Sequence, residues 1–594
     1  FHMNSMLRLL LLHGDHPDLP AALKQDLIDS VLNFKYWLDE PGPDMMCWWS
    51  ENHQILFHTA ELMAGHLLPD AVFSNSGMTG AEHVAHAIPL LNDWLDRRGM
   101  FGFSEWHSNI YFNEDIPALV NLADFAQDAS IAARAAMLLD LVAFDFANNM
   151  YNGAYATVHG RTYDRTRLEG TNDSTSEAAW LMLDLGTSSD ASNFAAVHLA
   201  TSPRYWPAPI LETIAHDASS RHEHRQRDGI DVADGPSYGI GYESPEDVMF
   251  WWGMGAYVSS EVIDGTFQTV EYYDLWDDYL WSDIAFLRPL VGSPILEPVA
   301  AFLDDLFAGS ALESMSTYTW RTPEYQLSGA QDFNPAMLGA QQLMWQATLD
   351  PDAFVFTSAP GNAEEDYAAG NWTGGWLPRA TLHKNVGVIQ YWRRPHPVGS
   401  VVYLEAFTHA FFPRSAFDEV VTSGHWTFGR KGDGYVGLYS ENPTEWATEP
   451  PASDYELIVQ GTQNVWIVEL GSREERGEFA TFVAELESSP VTIRGEDIRF
   501  GSPSQGLVEV SRSGPMVIDG EEIDLGPYDR WDNAYAHQVF GTHQTLLSFG
   551  DERLELDFST ATRTYTAAAA MSTVAQLDVF HTASLCRVVD RLRK

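Results

Sequence analysis

Cysteine is almost absent. Cys47 and Cys586 are the only two in 594 residues, nearly a chain length apart, so neither a disulfide framework nor a cysteine metal knuckle can be built. Lysine is nearly as scarce: Lys24, Lys35, Lys384, Lys431 and Lys594 complete the set, and 34 Lys+Arg against 83 Asp+Glu leave a formal charge of −49. That balance argues against a nucleic-acid groove, because phosphate binding is carried by clustered cations. Long hydrophobic runs are missing too. Leu9 to Leu12 follows one arginine and ends at His13 and Asp15, far short of a secretory core or a membrane span, so no membrane partner is expected. Phe1-His2 ahead of Met3 reads as a cloning remnant, which puts the expected start at Met3 and the expected location in the cytoplasm, unless an export signal preceded it. Nucleotide motifs are lacking: there is no Gly-x-x-x-x-Gly-Lys-Ser/Thr and no strand followed by Gly-x-Gly-x-x-Gly. The helical half has no His-Glu-x-x-His, and Asp277-Asp278 lacks a further acid three positions on.

What the chain has is apolar and aromatic content, 45% and 12%, enough for sizeable cores. From Leu23 to about Leu306 apolar residues recur at three-and-four spacing. This predicts helices over Leu23 to Leu38, Ile55 to Leu68, His83 to Leu95, Ile116 to Phe125, Ile131 to Phe146 and Thr175 to Leu185, with weaker ones at Val248 to Tyr257 and Pro298 to Phe307. Turn residues separate them, among them Pro69-Asp70, Asn152-Gly153 and Thr187 to Asp190. No fixed-length repeat is visible, which favours helical hairpins in a ring or arc over a solenoid. After about residue 376 short β-branched and aromatic runs take over, such as Val386 to Trp392, Val401 to Phe407, Tyr435 to Tyr439 and Val465 to Leu470, the pattern of an antiparallel sandwich. The expected organisation is multidomain α+β: a helical catalytic domain over 1–340, a linker over 341–376 with Gly361, Gly370, Gly374 and Gly375 around Trp372, and an antiparallel β-sandwich over 377–594.

Candidate chemistry lies between the helices. In the stretch from Glu105 to Phe112, an extended backbone would point Glu105, His107, Asn109 and Tyr111 to one side. A second stretch alternates Tyr155, Thr157, His159, Arg161 and Tyr163 between Gly153 and Gly160. Ser50 is the natural N-cap of the helix that follows, so Asn52 and His53 open its inward face, and Trp48 and Trp49 beside them suit stacking on a sugar. His216, Arg221, His222, His224, Arg225 and Arg227 form the one basic island, able to draw an anionic substrate toward an acidic molecule. Tyr238 and Tyr242 follow it in a flexible, aromatic rim. In the strand half His409, Asp418 and His425 could hold zinc, although three unlinked polar residues in a sandwich are more often structural, and no metal or other cofactor is otherwise expected.

A multi-helix N-terminal half with Asn, His, Arg and Tyr in its loops, followed by an antiparallel sandwich, resembles the polysaccharide lyases built as an (α/α) toroid plus β-sandwich, such as the chondroitin AC, alginate and heparinase II/III-like families. The resemblance implies cleavage of an anionic, uronic-acid-containing glycan by β-elimination. It implies Asn52 as the amide that neutralises the uronate carboxylate, His107 or His159 as the base, Tyr163 or Tyr238 as the acid and Arg161 as a carboxylate anchor. His53, Trp49, Glu105, Asn109, Tyr155, Arg221, Arg225 and Tyr242 are the further candidates for substrate binding. His159 and Tyr163 are closer together than the His and Tyr of a chondroitin lyase, and the zinc spacing of the heparinase-like sandwich is not reproduced around His409.

Two alternatives stand beside this. One is an inverting glycoside hydrolase with a carboxylate pair drawn from Glu105, Glu114, Asp115, Glu169 and Asp173. The other is a non-catalytic glycan-binding protein. In the lyase reading the arginines from 161 to 167 and the basic island hold carboxylates, so Asn52, His107, His159, Arg161 and Tyr163 are expected in one cleft.

Overall fold

The computed structural model describes residues 1–42, 46–171, 174–186, 193–219, 221–278, 280–307, 309, 311–333, 337–361, 370–373, 375–393 and 405–567. Residues 401–404 of one expected strand, the turn at 187–190, Asp173, Gly374 and Cys586 lie outside the described residues.

Helices fill the N-terminal half, including every segment where three-and-four spacing placed one: His2–His13, Ala21–Leu32, Glu51–Leu67, Gly80–Phe101, Phe112–Phe125, Ala129–Asn149, Ser174–Leu183, Phe194–Ala200, Pro209–Ala215, Pro245–Gly253, Ile263–Tyr272 and Leu296–Phe307. Side chains set their starts. The Ser50 hydroxyl accepts the amide of His53, and Thr79 and Glu82 close a reciprocal capping box. Helix Glu51–Leu67 packs on Gly80–Phe101, Phe112–Phe125 packs on Ala129–Asn149, and the leading helices of these two hairpins pack on each other. Their apolar stripes meet in one core that includes Ile55, Leu62, Leu91, Leu119, Leu139 and Phe146.

A strand-rich part follows, and it begins at Met315. The stretch 341–376, read as a linker, contains the strands Trp345–Thr348 and Phe354–Ser358. Pro351 and Gly361 on either side of Phe354-Val355-Phe356 disguise a buried strand as loop. Among the described residues the main sheet has 16 strands, antiparallel apart from one parallel pairing of Gln331 with Ala380. A five-stranded sheet over 491–523 covers part of it. Val386, Trp426, Phe428, Tyr435 and Ile467 from one side meet Ile498, Phe500, Val508 and Met516 from the other in a shared core, the two-layer arrangement of a sandwich.

Two segments cross between the halves. The last sheet, Gln544–Phe549, Glu552–Asp557 and Thr562–Thr566, returns to the helices: Leu547, Leu554, Leu556 and Phe558 belong to the helical core. In the other direction, strand His222–Asp228 leaves the helical half and is inserted between Met315–Arg321 and Trp531–Asn533. Along it His224, Gln226 and Asp228 are buried while Glu223, Arg225 and Arg227 take the opposite face, as the two-residue period of a strand requires.

Candidate active site

Two loops and the start of one helix make the site. Helix Glu51–Leu67 begins with Glu51 and Asn52, both buried. Glu51 forms an ion pair with Arg98 and accepts the backbone amides of Ser104 (2.8 Å) and Glu105 (2.6 Å). That double acceptance bends the segment into turns, and His107 adopts a left-handed φ of 46°. The extended stretch expected over Glu105 to Tyr111 is therefore not formed, because a buried carboxylate takes the amides that a ladder would have used. The turns still gather the same residues. Asn52 Nδ2 donates to Glu105 Oε2 at 3.0 Å, and Ser50 Oγ holds the other end of the amide at 2.9 Å.

The second loop is fastened to the first. Gly160 N donates to Trp106 O at 2.7 Å and Ser108 Oγ donates to Arg161 O at 2.9 Å, while His159 exchanges both backbone bonds with Leu343 of the strand-rich part. A Cβ on Gly160 would lie 2.9 Å from the Trp106 ring and 3.1 Å from its backbone nitrogen, so only glycine allows this approach. The result brings Arg161 Nε to 3.9 Å from Glu105 Oε1 and the hydroxyls of Tyr111 and Tyr163 to 2.6 Å. Tyr155 lies between the imidazoles, with ring centroids 6.1 Å from His107 and 5.6 Å from His159.

The two histidines are shifted in opposite directions. His159 Nδ1 is 2.5 Å from the carbonyl oxygen of His107, which fixes the proton on Nδ1 and leaves Nε2 as the basic nitrogen. Burial pushes its pKa down to about 3, so the ring is neutral at ordinary pH. At His107 burial also works against the cation, but Asp145 at 3.2 Å, with Asp228 behind it, outweighs burial and raises the pKa. Glu105 is shifted upward: burial first, then the nearby Glu51, hold its pKa well above the usual carboxylate range. Burial likewise raises Tyr111.

Other expected residues are placed differently. Asn109 is buried in the first loop, with its carbonyl oxygen accepting from Ser174 Oγ at 2.6 Å and its side-chain oxygen unpaired. His53 stays at the edge of the cluster, its Nδ1 2.5 Å from Ser50 Oγ. Trp49 is fully buried against Trp252 and Trp281 and offers no face to a sugar; an indole at a helix start went to the core because the neighbouring helices supply aromatic partners. Tyr242 donates its hydroxyl to Val232 O at 2.6 Å, and Tyr238 packs at the surface on Phe101 and Phe540. Arg221 pairs with Glu475, and Arg225 pairs with Glu223, Asp524 and Asp532. Arg225 and Arg227 of the basic island thus sit with acids on the outward side of their strand, while His224 turns inward. Of the acids weighed for a hydrolase, Glu114 is raised by burial to about 8 and Asp115 is raised by burial and by Glu51. In the sandwich His409 pairs with Glu456 at 2.6 Å and stacks on Trp372, Asp418 pairs with Arg430, and His425 hydrogen-bonds Ser440 O.

Sequence reasoning missed the far wall. Gln226 Nε2 lies 2.8 Å from His107 Nε2 and 2.6 Å from Asp228 Oδ2. The signal was available in His222-Glu223-His224-Arg225-Gln226-Arg227-Asp228, where period two separates the arginines from Gln226 and Asp228.

No family model matches the sequence, and no curated protein matches it. Among solved structures, the chain is similar to the chondroitin AC lyase of Streptomyces coelicolor A3 in complex with chondroitin sulphate, with 12% identity, a TM-score of 0.30, and 93% of this chain and 83% of that chain covered. It is also similar to heparinase III, with 8% identity, a TM-score of 0.25, and 88% and 81% covered.

Proposed function

We propose that the chain is a polysaccharide lyase that cleaves an anionic, uronate-containing glycan by β-elimination at the Asn52, Glu105, His159, Arg161 and Tyr163 cluster. The observation that carries this reading is His159, its tautomer fixed by the His107 carbonyl and its pKa lowered by burial to about 3, in the same loop as Arg161, which reaches Glu105, a carboxyl group whose pKa burial holds well above the usual range. A base able to take a carbon-bound proton must be unprotonated, and the acidified carbon needs donors on its carboxylate. The Asn52 amide, the Glu105 hydroxyl and the Arg161 guanidinium supply those donors. His159 Nε2 takes the C5 proton, the electron pair forms the C4–C5 double bond, the C4–O bond breaks, and Tyr163 gives its proton to the departing oxygen. The nearby Tyr111 hydroxyl then donates to the Tyr163 phenolate.

The test is a panel of uronate polymers read by the ultraviolet absorbance of the unsaturated product. Wild type should generate that product, and His159→Ala should lose ~10²-fold or more in turnover with its circular dichroism unchanged. One observation favours a second reading: a protonated Glu105 is also what a glycosidase acid requires. New reducing ends without unsaturation, from an enzyme killed by Glu105→Gln and untouched by His159→Ala, would establish hydrolysis instead.

A further inference from the structure

Away from the two loops, the first helical hairpin buries a set of metal-type ligands that the proposed reaction does not use. Glu40, from the segment after helix Ala21–Leu32, Glu61 on helix Glu51–Leu67 and His83 on helix Gly80–Phe101 place one ligand atom each within 4.8 Å of one another, the one such group among the described residues. All three are buried. His83 Nδ1 is 2.8 Å from Glu61 Oε1, and His86 Nδ1 is 2.9 and 3.0 Å from the two oxygens of the same carboxylate. His58, one turn before Glu61 on its helix, is 2% exposed with its Nδ1 unpartnered, and it lines a cavity of about 160 Å³ together with His86 and Asp39.

The outer partners are those that metal ligands have. A ligating histidine turns one nitrogen to the ion and donates from the other to an oxygen that fixes the ring. His83 offers Nδ1 inward while Nε2 meets Ser76 Oγ at 2.8 Å, and His86 offers Nδ1 inward while Nε2 faces Asp39 Oδ2 at 3.5 Å. Glu40 is oriented in the same way, by Tyr36 N at 3.0 Å and Asn75 Nδ2 at 2.9 Å. Two carboxylates balance a divalent charge, and a mixed imidazole and carboxylate set suits first-row transition ions rather than Ca²⁺ or Mg²⁺.

We propose that Glu40, Glu61 and His83 bind one divalent transition-metal ion, of which Zn²⁺ is the representative, with His86 as the outer partner that orients the Glu61 carboxylate and His58 in reserve beside it. The site ties the segment carrying Glu40 and both helices of the hairpin together, and it lies on the helix that presents Glu51 and Asn52. The sequence hid it because the donors come from two helices and a connecting segment. His58 with Glu61 and His83 with His86 each share a helix face at a spacing of three, and no single run contains the set.

The test uses the full chain stripped with a chelator, dialysed, and titrated with Zn²⁺ or Co²⁺ in millimolar Mg²⁺. One ion per chain should bind saturably by elemental analysis, Co²⁺ should develop a ligand-field absorption, and the melting temperature should rise. His86→Gln, at a half-buried position that the fold can spare, should weaken binding by at least ~10-fold, and Glu61→Gln should abolish it. Absence of saturable binding by wild type, displacement of the ion by Mg²⁺, or wild-type affinity in His86→Gln would each overturn the proposal. Should Glu61→Gln fail to fold, the Co²⁺ spectrum of wild type and the affinity of His86→Gln decide the matter.

Discussion

Tyr111 and Tyr163 meet hydroxyl to hydroxyl at 2.6 Å, yet their tasks in the proposed elimination differ, and single substitutions separate them. Tyr163→Phe removes the proton that the leaving oxygen needs and should cut turnover by ~10²-fold or more. Tyr111→Phe removes only a donor to the phenolate, so its loss should be smaller and should grow with pH. Steady-state rates on a uronate polymer across pH 5 to 9 check both, and equal losses at every pH would contradict the division. Glu105 gives a third substitution. If its proton serves as a donor to the uronate carboxylate, Glu105→Gln keeps a donor in place and should fall well short of the ~10²-fold loss that follows removal of such a group. It should also extend activity to higher pH, because the amide cannot deprotonate where the raised Glu105 carboxyl would. At this scale much was legible. Asn52, at the start of a helix, and Glu105, His159, Arg161 and Tyr163, in the short loops between helices, were visible as polar candidates that the proposal then uses. What the sequence could not tell was which imidazole stays neutral, since that depends on Asp145 beside His107 and a carbonyl beside His159, contacts that spacing does not encode.

Between elements, the decisive contact is the fastening of the two loops at Gly160. Gly160→Ala pushes a methyl against the Trp106 ring and backbone. The expected penalty is ~1–3 kcal/mol, the usual scale of overpacking a close contact. Activity should fall with it, since Arg161 and Tyr163 follow in the same loop. Urea unfolding and turnover measured on one preparation check this, and an unchanged midpoint would mean that the loops part easily. The helices were readable because a buried stripe at three-and-four spacing leaves a long periodic trace. Loop 104–111 was not, because alternating polar residues describe a strand until Glu51, more than fifty positions earlier, takes two of its amides. The reading of Trp49 as a stacking platform failed for a similar reason: an indole looks the same in sequence whether Trp252 and Trp281 bury it or not.

Over the whole molecule, buried acids set the response to alkali. Burial raises Glu114 to about 8 and Glu313 to about 7, whereas unfolding returns both to the usual carboxylate value near 4.3. The folded chain therefore holds more protons than the unfolded one between these values. The stabilisation is complete below the unfolded pKa and is lost as pH rises through the folded ones. The buried histidines lowered to about 3 or 4, His53, His58, His159, His198 and His224, act oppositely, adding stability as pH climbs to about 6.5 and nothing beyond. Above pH 6.5 the lowered histidines add nothing further, while the acids, joined by the raised His86 and His107, lose stabilisation, so the urea midpoint should decline from pH 6.5 to 8.5, and Glu114→Gln combined with Glu313→Gln should lessen that decline. A midpoint that rises over the same interval in wild type would refute this assignment.

The inserted strand His222–Asp228 has a consequence for how the protein is made. Its inner partner, Met315–Arg321, leaves the ribosome soon after it, but its outer partner, Trp531–Asn533, comes roughly 300 residues later, a delay on the order of 15–60 s at ~5–20 residues per second. Until then one edge of the strand that places Gln226 against His107 has no ladder, and the arginines on its outer face lack Asp532. Nascent helices can pack as they emerge, but the wall behind His107 closes only once Trp531–Asn533 has emerged. Prematurely terminated chains would therefore carry the loop residues of the reaction without their backing, and quality control would meet them with an open strand edge exposed.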